Sequence, residues 1–73
     1  MTEDPYEKLA HAIIVQAAKD YQKALRQLRI NPRYGPSRET KKEVEQFFHS
    51  EWFQFLTDAD PDYLLDRITR AEL

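Results

Sequence analysis

The chain has 73 residues, no cysteine, 33% charged side chains and a net charge of −2. That length supports one domain burying only about 60% of its unfolded surface, and the lack of cysteine excludes disulfides, thiolate nucleophiles and Cys-based zinc sites. No apolar run approaches the ~18 residues of a membrane span, and Met1 to Glu7 is acidic where a signal peptide is basic, so a cytoplasmic protein without membrane attachment is expected.

The first element begins at Asp4-Pro5-Tyr6-Glu7, where Asp4 can cap, Pro5 suits the first helical position and Glu7 completes a capping-box pattern. Strong helix formers then run without Gly or Pro until Pro32, which predicts a helix from Pro5 to about Ile30. Tyr6, Leu9, Ala10, Ile13, Ile14, Ala17, Tyr21, Ala24, Leu25 and Leu28 recur at i, i+3, i+4 spacing and form its predicted core face, leaving Val15 out of place. Lys8, His11, Lys19, Gln22, Lys23, Arg26 and Arg29 occupy the other face.

Asn31 to Ser37 holds two prolines and the sole glycine, and reads as a loop of about seven residues that reverses the chain. Ser37 or Thr40 can cap a second helix over roughly Arg38 to His49. The stretch from Val44 to Leu56 carries five of the nine aromatic residues, Phe47, Phe48, Trp52, Phe53 and Phe55, so the core is expected on it. On an unbroken helix Val44, Phe47, Phe48, Trp52, Phe55 and Leu56 make one stripe, but Glu51 then falls inside it, and a buried bare carboxylate is costly. Ser50 can instead cap a short separate helix, Glu51 to Leu56, that turns Glu51 out and Phe53 in. A break at His49 and Ser50 is the favoured reading, with a continuous helix as its alternative. Both Phe48 and Trp52 are expected in the core.

Asp60-Pro61 repeats the cap-then-proline signature and starts a last helix. Leu64, Leu65, Ile68 and Ala71 give it a narrow apolar stripe, with Asp62 early and Arg67 and Arg70 late, as the helix dipole favours. The predicted fold is all-α, a small bundle of three to four helices with a long first helix, forming a single helical domain over 1–73.

Charge is laid out in blocks: residues 19 to 42 carry +6 and residues 43 to 73 carry −6. The blocks can face each other or simply solvate the surface. They can also mark a partner site. Lys19, Lys23, Arg26, Arg29 and Arg33, followed by Arg38, Lys41 and Lys42, form a candidate basic face that could neutralise phosphates or meet an acidic protein, with Tyr34 available to stack on a base. A helix-turn-helix is a weak match, because that motif wants a turn of three or four residues and a polar recognition helix. Asp58-x-Asp60-x-Asp62 resembles the start of a calcium loop but has Tyr63 where glycine is needed and Thr69 where a bidentate glutamate is needed. His11 and His49 have no second histidine at ligand spacing, and nothing assembles an acid and a base around a pocket. No cofactor, metal, small-molecule substrate or enzymatic activity is expected.

The segment FFHSEWFQFLTDADPDYLLDRI, together with AIIVQAAKDYQKALRQL, resembles small uncharacterised helical proteins carried by prophages and integrative mobile elements of Gram-positive bacteria. The resemblance implies an accessory or regulatory protein of a mobile element and carries over no site residue. The function expected is therefore non-enzymatic binding through a protein partner or a homodimer, the alternative being a nucleic-acid-binding module that uses the basic face.

Overall fold

The computed structural model describes residues 4–71. They form four helices, α1 (Pro5–Ile30), α2 (Gly35–Phe48), α3 (Glu51–Leu56) and α4 (Pro61–Ala71). Helix α1 starts as its sequence dictates, with the Asp4 carboxylate accepting from the Tyr6 N–H at 2.9 Å and Pro5 in the first turn. It ends at Asn31, whose N–H donates to Gln27 O at 2.9 Å; Pro32 then bars continuation.

The reversal is tighter than the prolines suggest. Only Asn31 to Tyr34 lie outside helix, because Gly35 and Pro36 form the first turn of α2, where a missing proline N–H costs no hydrogen bond. Neither Ser37 nor Thr40 is the cap. Ser37 is buried and its hydroxyl donates to Gln27 Oε1, tying α2 to α1, while the Thr40 hydroxyl donates back to Pro36 O at 3.0 Å. From there α2 runs back along α1, with Ser37 beside Gln27, Glu45 against Tyr21, and Phe47 near Ile13 and Ala17. The four-residue turn removes loop length as an argument against a helix-turn-helix, but this antiparallel hairpin is not the steep crossing that motif requires.

The break falls at His49 and Ser50. Ser50 Oγ accepts from the Phe53 N–H at 3.3 Å and its hydroxyl donates to Phe47 O at 2.6 Å, so one side chain both ends α2 and starts α3. The new helical phase puts Phe53 inside at 0% exposure, stacked on Phe48 with ring centroids 4.7 Å apart. Tyr21, Val44, Phe48 and Phe53 form the buried cluster, and Ile14, Ala17, Leu25, Phe47, Leu64, Leu65 and Ile68 pack around it. Helix α4 is capped by Asp60, whose carboxylate accepts from the Asp62 N–H at 3.0 Å, and closes the cluster from one side. Among the described residues no helix is long and apolar enough to cross a membrane.

Three expectations about the core are corrected. Trp52 is 55% exposed, because the six-residue α3 can direct only Phe53 and Leu56 inward and its remaining ring positions turn out. Tyr6 and Leu9 stay 57% and 59% exposed, since α1 outruns the elements packed against it at this end. Ala71 is exposed at the end of α4.

Candidate functional site

The predicted basic residues do not converge on one surface. Lys19, Lys23 and Arg26 are exposed on the side of α1 opposite buried Tyr21 and Ala24, as their spacing requires. Lys23 and Tyr34 border one side of the Ser37–Val44 ridge, in the company of Asp20 and Glu43. Arg38, Lys41 and Lys42 border its other side together with Glu39 and Glu45. Arg29 is exposed near the end of α1, and exposed Arg33 sits in the turn, its N–H donating to Asn31 Oδ1 at 3.2 Å. The cations on both sides of the ridge are thus interleaved with carboxylates.

Lys41 is committed inward. Its ammonium donates to Glu45 Oε2 at 2.8 Å and lies 6.0 Å from the Tyr21 ring centroid, while the Tyr21 hydroxyl donates to the same oxygen at 2.8 Å. Burial, followed by the hydrogen bond to Glu45 and its charge, pushes the Tyr21 hydroxyl up to about 12. Burial works against ionised Glu45, but the hydrogen bonds from Lys41 and Tyr21 outweigh it and hold the carboxyl below its ordinary range. This group of three locks α1 to α2.

His49 holds a second bridge. Its Nδ1 faces Glu45 O at 2.8 Å and its Nε2 faces Asp62 Oδ1 at 2.7 Å. A carbonyl and a carboxylate both accept only, so the pair favours the doubly protonated ring. The Asp62 hydrogen bond comes first among the causes that raise the His49 pKa, followed by the Glu45 carbonyl. Asp60 and Asp62 are accordingly used as a helix cap and an inter-helix bridge, and among the described residues no cluster has the composition of a metal site.

The surface that sequence reasoning missed lies along the other flank of α1. Tyr6 and Ile13 lie there at i and i+7, with exposed Leu9 between them at i+3, and across the seam Phe55 of α3 faces Tyr6 and Trp52 faces Ile13. One cleft of about 220 Å³ lies among Tyr6, Ala10, Phe55 and Leu56, and a second of about 350 Å³ lies among Ile13, Ala17, Val44, Phe47 and Trp52. Phe55 is 74% exposed, and Trp52 leans edge-on against Phe47 at 5.4 Å. At roughly 200 Å² per aromatic side chain, the open parts of Tyr6, Trp52 and Phe55 give roughly 400 Å² of apolar surface, within the range of the largest patch on a typical monomer, which is often functional. Its borders are acidic, with Asp4, Glu7 and Asp58 around the first cleft and Asp20 and Glu43 around the second. The signal for it was present in Ser50, because a new helix starting there fixes Phe53 in and Trp52 and Phe55 out.

Fold and surface together define a small all-α domain that presents an apolar, acid-bordered face. No family model, curated protein or solved structure matches the chain.

Proposed function

We propose that this chain is a non-enzymatic accessory protein of a mobile element that works by binding another protein through the face formed by Tyr6, Leu9, Ile13, Trp52 and Phe55. The supporting observation is that face. Of the four rings left more than half exposed among the described residues, Tyr6, Trp52, Phe55 and Tyr63, the first three lie on it, in a domain whose core is otherwise filled by Phe48 and Phe53, and aromatic side chains of this kind dominate interface energetics. The mobile-element context rests on the resemblance of the aromatic segment, and with it goes a cytoplasmic setting. A photo-crosslinking residue placed at position 52 in the expressed protein tests the reading. It should yield a discrete polypeptide adduct that is lost when Phe55 is changed to Ala, whereas the same residue at position 23 should not. Adducts at 23 alone would overturn it.

A nucleic-acid reading is favoured by one observation. The first turn of α2 has no side-chain cap and no acidic residue, and Arg33 and Arg38 flank it, an arrangement that suits a phosphate. Low-salt titration with duplex and single-stranded DNA tests this alternative, for which the log–log salt slope should be near −0.9 for each duplex phosphate neutralised.

A further inference from the structure

We infer that the occupant of the apolar face is a cationic amphipathic helix of a different protein, about four turns long. The inference rests on the protein-binding reading above and deepens it. Charge complementarity carries it. Five carboxylates, Asp4, Glu7, Asp20, Glu43 and Asp58, border the two clefts, and among the described residues no lysine or arginine lines either one. A partner must therefore cover the rings of Tyr6, Trp52 and Phe55 while meeting negative charge at both ends.

A second copy of this chain fits badly. A two-fold interface sets the same patch against itself, so the Asp4, Glu7 and Asp58 end would face either itself or the Asp20 and Glu43 end, and both pairings bring carboxylates together. Like-charge juxtaposition of this kind works against association. A helix with a leucine-rich stripe flanked by lysine or arginine has the opposite pattern.

Length fixes the rest. Along α1 the face runs from Asp4 to Asp20, about 24 Å at 1.5 Å per residue, which matches about 16 residues of a docked helix anchoring side chains at i, i+3, i+4 and i+7. The open apolar area is about half of the ~800 Å² that a partner surface of standard size contributes, so the rings supply the centre and the carboxylates the rim.

The test uses two synthetic peptides of about 16 residues, one of leucine and lysine in an amphipathic helical pattern and one with glutamate in place of every lysine. Binding is followed by calorimetry and by the emission of Trp52, the only tryptophan. The lysine peptide should bind and shift Trp52 emission to the blue, and the glutamate peptide should not bind. Glu7→Lys combined with Glu43→Lys should weaken the lysine peptide by about tenfold or more, and Trp52→Ala combined with Phe55→Ala should abolish binding, with helical circular dichroism retained in both variants. Equal binding of the two peptides, no binding of the lysine peptide, or a dimer of this chain that protects Trp52 would each overturn the inference. Failure here alongside a polypeptide adduct at position 52 would remove the cationic helix and leave protein binding standing, whereas failure of both would remove the protein-binding reading as well.

Discussion

Phe48 and Phe53 stack at 4.7 Å with their ring planes 25° apart, although the chain breaks helix between them. That pairing explains the whole aromatic segment. A continuous helix would carry Phe53 to a different face and bring Trp52 inward, and the cap at Ser50 reverses both assignments.

The stability consequences of Phe53 and Trp52 should therefore differ sharply. Phe53→Ala is expected to cost about 3–5 kcal/mol, as for other fully buried phenylalanines, and Trp52→Ala about 1 kcal/mol or less, since more than half of that ring stays in water. Urea denaturation of the two variants measures the difference.

Ser50→Ala removes the only side-chain cap of α3 and should cost about 1 kcal/mol. Ser50→Asp, which can still accept from the Phe53 N–H, should recover most of the loss. Denaturation midpoints of the two variants check this.

The fold was legible wherever the signal is local. Asp4-Pro5 and Asp60-Pro61 mark the starts of α1 and α4, and Ser50 with Glu51 marks the break. The start of α2 was not legible, because Pro36 reads as a loop residue until tertiary packing of Ser37 on Gln27 draws the first turn into helix. The exposure of Tyr6 and Leu9 was hidden for a related reason. Spacing shows that they share a stripe with Ala10 and Ile13, but not how far the partner helices extend along it. Lys19, Lys23, Arg26, Arg29, Arg33, Arg38 and Lys42 are exposed as expected, whereas the turn of Lys41 towards Glu45 and Tyr21 and the separation of the cations by the α1–α2 seam depend on how the two helices dock.

The His49 bridge should make α4 docking depend on pH. The folded pKa is raised above the ordinary 6.5, so its stabilisation is fully present below about pH 6.5 and is lost as pH rises through the folded value. Glu45 and Asp62 are the groups facing the ring. An NMR titration should find His49 above 6.5, with Asp62→Asn lowering it and the backbone amides of α4 exchanging faster above the transition.

Glu45 acts in the opposite direction. Its folded pKa is depressed, so its contribution is present above the ordinary value of 4.5 and is lost as pH falls through the folded pKa. Tyr21, raised to about 12, should titrate late in an alkaline absorbance scan. Glu45→Gln should bring that hydroxyl down, and the same scan on the variant measures the change.

The central claim, that the domain meets its partner through Tyr6, Leu9, Ile13, Trp52 and Phe55, is tested most directly by residue-resolved chemical-shift mapping with the leucine–lysine peptide on the isotope-labelled protein. The largest changes should fall on the Trp52 indole and on the amides of α3 and of α1 up to Asp20, while Arg26, Arg29, Arg33 and Arg38 stay unmoved. Changes concentrated on those four residues would contradict it, whereas none anywhere at saturating peptide would overturn the cationic-helix occupant alone.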